Sequence, residues 1–156
     1  MSTTNPAAPG APLTPPDPER IARTVATRLP FRAEMTGLSA LAGDASNRRY
    51  FRISLKGTPS GLILMQLADP EGFKKSEEAV SGASAHIAEL PFTNVLTHLQ
   101  RTGVTVPTLH YFDREAGLLY LEDFGDLTLA EACRHADAAR LEALYRQAID
   151  QLVMTV

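Results

Sequence analysis

A chain of 156 residues, 44% of them hydrophobic and 21% charged, has the length of one domain with a core of its own. Its formal net charge of −3 lacks the basic surplus of a dedicated nucleic-acid binder, and its single cysteine, Cys133, excludes an intramolecular disulfide and fits a reducing, cytoplasmic setting. No apolar run approaches the ~20 residues that a membrane-spanning helix needs, so neither nucleic acid nor membrane is an expected partner.

Residues 1–16 place Pro6, Pro9, Pro12, Pro15 and Pro16 among small side chains, without the basic and apolar regions of a secretory signal. Prolines donate no backbone hydrogen bond and small side chains bury little, which predicts a disordered tail. Asp17 followed by Pro18 is a helix start, a capping oxygen before a residue whose φ is already set. Ile21, Val25 and Leu29 then predict an amphipathic helix over 18–29, stopped by Pro30.

From Thr36 the period shortens to two. Residues 36–42 read as a weak strand of small side chains. Residues 49–55 read as a stronger one, with Phe51, Ile53 and Leu55 on one face and Tyr50, Arg52 and Ser54 on the other. Residues 56–61 have turn composition, and the apolar run Leu62–Leu67 predicts a strand buried on both faces, completing an antiparallel meander. Residues 69–90 open on a turn and carry no clean apolar stripe; Glu77 and Glu78 beside Lys74 and Lys75 read as a solvated charge cluster.

Phe92, Val95, Leu96 and Leu99 predict a further helix that ends at Gly103. Residues 108–112 and 118–122 then form a hairpin around the turn at Asp113 to Gly117. After Asp123-Phe124-Gly125-Asp126 come two helices, Leu129 to His135 and Ala138 onward. Leu141, Leu144, Tyr145, Ile149, Leu152 and Val153 form one stripe of the second. That stripe runs on without a stop signal, as in a chain cut within a helix. The fold class expected is α+β: a five-stranded antiparallel sheet with a packed helix, followed by further helices.

Two segments carry a more specific message. Gly43-Asp44-Ala45-Ser46-Asn47-Arg48-Arg49-Tyr50-Phe51-Arg52 resembles the "GDAS-x-RRYFR" segment of the aminoglycoside phosphotransferase superfamily, in particular of bacterial kinases of N-acetylmuramate and N-acetylglucosamine. Gly103-Val104-Thr105-Val106-Pro107, with the hairpin running into Leu118-Leu119-Tyr120-Leu121-Glu122-Asp123-Phe124-Gly125-Asp126, resembles the family's "GV-x-VP" and "LLLEDxGD". Leu127-Thr128-Leu129 and the helix after it resemble the start of the family's C-lobe, so the likeness spans residues 36–156.

The resemblance implies a protein-kinase-like N-lobe over 17–123 and the hinge exit with the start of a C-lobe over 124–156. It implies a loop over the ATP phosphates formed by Gly43, Asp44, Ala45, Ser46, Asn47 and Arg48. One glycine for close approach, small side chains, and amide and guanidinium donors suit that role. It implies an adenine site at Met65, Leu121, Glu122, Asp123 and Phe124, ATP as cofactor with Mg2+ in the intact family, and a sugar or amino sugar as substrate.

The departures are equally concrete. The third strand lacks the Lys that pairs with nucleotide phosphates in kinases; Met65 stands in that neighbourhood, and Arg48, Arg49 and Lys75 are alternative sources of charge. The helix from Phe92 offers no Glu to pair with such a Lys. Asp123-Phe124-Gly125 imitates a magnesium-binding triplet and His110-Tyr111-Phe112-Asp113 a catalytic loop. The second imitation fails, because Leu118 stands where that loop requires a metal-binding Asn.

No "HGDxxxxN" segment is present, so no catalytic residue and no metal ligand is assigned, and this chain alone is expected to be inactive. His86, His98, His110 and His135 lack ligand spacing, although Cys133 lies close to His135. The catalytic Asp and Asn are expected beyond Val156. The alternative is a non-catalytic module that senses a nucleotide or binds a partner.

Overall fold

The computed structural model describes residues 14–42, 48–67 and 91–153. Asp17 caps α1 (Pro18–Thr27): its carboxylate accepts from the Glu19 N–H at 2.9 Å, and Pro18 occupies the first turn, where its missing N–H costs nothing. The helix closes earlier than periodicity predicts, with the Arg28 N–H on the Thr24 carbonyl at 2.8 Å. Leu29 still packs beside Ile21 and Val25, so the apolar face outlasts the helix itself.

The strands are β1 (Met35–Ala40), β2 (Arg48–Leu55), β3 (Leu62–Leu67), β4 (Leu109–Asp113) and β5 (Leu118–Glu122). With α2 (Pro91–Arg101), α3 (Leu129–Arg134) and α4 (Ala138–Val153) they make an α+β fold. All strand neighbours are antiparallel, in the order β1-β2-β3-β5-β4, so β5 rather than β4 lies beside β3. Burial explains the choice. Leu118 to Leu121 are buried along both faces of β5, as β3 is, and two such strands belong side by side in the interior of a sheet. Leu109 to Phe112 are only half-buried, which suits an edge. Gly117, at φ +64°, lets the β4–β5 turn close.

Alternation sorts the side chains into two layers. Phe51, Ile53 and Leu55 of β2, Leu62 and Leu64 of β3, and Leu118 and Tyr120 of β5 meet Ile21, Val25 and Leu29 beneath α1. Each such side chain taken fully from water stabilises the fold by ~1.5–3 kcal/mol. The opposite layer has Met65, Leu67, Leu119 and Leu121 at its centre, with Tyr50, Ile63 and Phe92 half-covered around them.

Three expectations need correction. Thr14 to Pro16, assigned to the tail from composition, lie against the sheet: Pro16 is buried and the Thr14 carbonyl accepts from Gln66 Nε2 at 2.9 Å. A buried amide in β3 needs a partner, and the chain before α1 supplies one. β1 ends at Ala40 rather than residue 42, although the Leu41 N–H still reaches the Tyr50 carbonyl. The apolar stripe of α4 is not a buried face: Tyr145, Ile149, Leu152 and Val153 are each more than half exposed. The charge cluster at residues 74–78 lies outside the described residues.

Candidate functional site

The open side of the sheet holds a cleft of about 460 Å³ at the end of β5. Tyr50 from β2, Ile63 from β3 and Leu121 from β5 form its sheet wall, and Phe92, Leu96 and Leu99 its helical wall. Ile63 and Leu121 stand opposite each other in the β3–β5 register, so this part of the wall is one cross-strand row. Val106 and Pro107 close one end, and Phe124 and Gly125 border the other.

Each wall has a local cause. α2 stops at Gly103, whose φ of +86° is the left-handed conformation that ends helices, and the Val104 N–H returns to the Leu99 carbonyl at 3.0 Å. The next residues are tied down twice. The Thr105 N–H donates to Gln151 Oε1 of α4 at 2.9 Å. The Glu122 carboxylate accepts from the Thr108 N–H at 3.1 Å and from its hydroxyl at 2.8 Å. Those two hydrogen bonds hold the Glu122 carboxyl below the usual carboxylate range.

The connector after β5 is held from β2. Arg52 Nη1 and Nη2 donate to the two Asp126 oxygens at 3.0 and 2.8 Å, and Nη2 also reaches Asp123 Oδ1 at 3.2 Å. Arg52 Nε lies 2.7 Å from Asp123 Oδ2, an ion pair by distance without hydrogen-bond alignment. Asp123 Oδ1 accepts in addition from the Gly125 N–H at 2.8 Å, and Gly125 sits at φ +81°. The hydrogen bonds from Arg52 pull the Asp126 carboxyl below its ordinary range, and raise the guanidinium in turn. Among the described residues, the Phe124 backbone N–H and C=O have no hydrogen-bond partner.

Of the residues singled out from sequence, Leu121, Glu122 and Phe124 border the cleft. Met65 is wholly buried in the layer behind it, between Tyr50 and Leu119 in the strand register. Asp123 turns to Arg52 and to a second groove of about 740 Å³ lined by Phe31, Glu34, Lys56, Gly61 and His110. That larger groove is the weaker candidate: Lys56 is paired with Glu34, and Glu122 and Asp123 are committed to Thr108 and Arg52. Gly43 to Asn47 lie outside the described residues. Arg48 stands over the ring of Phe92, one of the cleft-lining residues, 5.6 Å from its centroid.

Sequence reasoning missed Arg52 and Asp126 as a pair, and Tyr50, Ile63, Phe92 and Pro107 as cleft walls. Alternation does put Tyr50 and Arg52 on the face away from the α1 core, but only the strand register brings Ile63 and Leu121 alongside them. Among the described residues, no group of three or more His, Cys, Asp or Glu side chains gathers where a metal ion would bind. Asp123, first of the Asp-Phe-Gly triplet, has both oxygens engaged by Arg52 and Gly125. No helix among the described residues is long and apolar enough to cross a membrane.

No family model, no curated protein and no solved structure matches this chain.

Proposed function

We propose that this chain is the ATP-binding portion of a small-molecule phosphotransferase, a protein-kinase-like N-lobe with the beginning of a C-lobe, whose substrate is a sugar or amino sugar. The observation that carries the reading is the apolar cleft at the exit of β5, beside a connector whose Phe124 N–H and C=O have no hydrogen-bond partner among the described residues. A purine needs two apolar walls for its faces and a backbone donor and acceptor at its edge. Tyr50, Ile63 and Leu121 offer one wall, Phe92 and Leu96 a second, and Phe124 the edge. The resemblance assigns the phosphates to Gly43–Arg48, and Arg48 stands over Phe92, one of the cleft-lining residues.

The described residues fit the base of ATP better than its metal. Asp123 and Asp126 both have the Arg52 guanidinium as a counter-ion, an arrangement that competes with Mg2+ for the same oxygens. Because its sequence has no "HGDxxxxN" segment, the chain in this reading binds nucleotide without transferring its phosphoryl group. A second reading, a non-catalytic module that senses nucleotide or binds a partner, is favoured by the outward apolar stripe of α4.

Titration with a trinitrophenyl-ATP probe, competed by ATP, tests the first reading. Saturable binding that Leu121→Arg abolishes supports it, and no competition by ATP at millimolar concentration ends it. Sugar phosphorylation by these 156 residues alone would contradict the expected inactivity. Nucleotide binding with no sugar kinase activity in any longer chain that continues past Val156 would favour the second reading.

A further inference from the structure

We infer that Arg52 is the positioning residue of the connector after β5: one guanidinium holds Asp123 and Asp126 on either side of Phe124-Gly125 and so fixes the wall of the cleft. Four contacts place it there, at 2.7 to 3.2 Å, shared between the two carboxylates. The two ends of the grip differ. The Asp123 side chain is 7% exposed and also accepts from Gly125, whereas that of Asp126 is 83% exposed and reaches back from beyond the turn.

The route from β2 to the connector is short because of two local features. Arg52 pairs with Ile63 in the β2–β3 register, and Ile63 pairs with Leu121 of β5, so Arg52 shares a face with the cleft wall. Gly61, just before β3, supplies the space: a Cβ there would stand 2.5 Å from the Ile53 carbonyl oxygen and 3.5 Å from Asp123 Oδ2. A planar fork that binds two carboxylates at once is a task for Arg. Lys, a single point charge, holds one. Gly125 at φ +81° would otherwise be the loosest point of the chain between β5 and α3, so the grip spans the position that needs it most.

The connector's order is measured apart from any ligand. The chain has no Trp, so Phe124→Trp places a sole indole at the cleft edge, on a side chain 56% exposed. In that background Arg52→Gln lowers indole anisotropy and speeds amide exchange over residues 123–127 on the order of tenfold, with the melting of the sheet changed far less. Arg52→Lys recovers part of the loss, and Asp126→Asn gives a smaller effect of the same sign. A folded Arg52→Gln chain with unchanged anisotropy and exchange overturns the inference. Should that variant fail to fold, Asp126→Asn decides, since an exposed carboxylate is not needed for the core; an unchanged connector then overturns it equally.

The consequence for the cleft rests on the nucleotide reading. With Phe124 restored, Arg52→Gln weakens the trinitrophenyl-ATP probe about tenfold, and undiminished affinity overturns the positioning role. If the unaltered chain binds no probe, the nucleotide reading fails, and anisotropy and exchange alone decide the role of Arg52.

Discussion

On the α1 side of the sheet, Ile21 and Val25 meet Ile53, Leu62, Leu64 and Tyr120, all of them wholly or almost wholly buried. On the α2 side, Tyr50, Ile63 and Phe92 stay partly uncovered around a cleft, although Met65 and Leu119 beneath them are as dry as any residue opposite. The strands are the same; the covering element differs. α1 lays a continuous apolar stripe over its face, while α2 stands off from the β5 end and leaves a gap that Pro107 and the connector frame. A sheet with one sealed face can leave the other open, because the sealed face alone supplies much of the stability.

The strongest way to break that contrast is to truncate one residue on each face. Ile53→Ala, at a position with no solvent exposure, is expected to cost ~2–5 kcal/mol in urea unfolding. Ile63→Ala is expected to cost clearly less, because its side chain is only partly buried, while weakening nucleotide binding more than Ile53→Ala does in whatever fraction stays folded. Equal destabilisation by the two would erase the distinction between the faces.

Gly125→Ala comes next. A Cβ there meets nothing within 4 Å, so the cost is backbone strain alone, ~1–2 kcal/mol for a side chain held at positive φ. Hydrogen exchange is expected to place the damage in the connector, leaving the α1 core protected.

A pH series sharpens the sealed face. Arg20 donates to both Asp113 oxygens at 2.8 and 2.9 Å and holds that carboxyl below its ordinary range. The folded value is depressed, so the stabilisation is present above the unfolded value, about 4, and is lost as pH falls through the folded one. Asp113→Asn is therefore expected to be less stable at neutral pH and to show a flatter fall of Tm on acidification.

The smallest effect is expected at His110, in the groove beside Phe31, whose ring meets the imidazole edge-on at 5.0 Å. Burial lowers the His110 pKa, partly opposed by the Glu122 charge. A depressed histidine favours the fold above its unfolded value, about 6.5, and loses that preference as pH falls below it. His110→Gln is expected to remove a shallow loss of Tm between neutral and mildly acidic pH, visible when the two melting curves are subtracted.

Much of the fold was legible because local chemistry and tertiary structure agree. Asp17-Pro18 starts α1, Gly103 ends α2, and the alternation of Phe51, Ile53 and Leu55 identifies the face that packs on α1. The site was legible only in part. Leu121, Glu122 and Phe124 were found because they follow one another in the chain, whereas Tyr50, Ile63, Phe92 and Pro107 are brought together from four separate segments.

By itself, then, the order of residues determined most of the elements and the sidedness of β2, since these follow from neighbours a few positions apart, while the ends of α1 and β1 were settled only in the folded chain. Tertiary structure alone decided that β5 rather than β4 lies beside β3, that Thr14 covers Gln66, and that Arg52 reaches Asp123 and Asp126 some seventy residues later. The Gln66 amide nitrogen and the Arg52 guanidinium find their partners across space, and no local pattern records the partner.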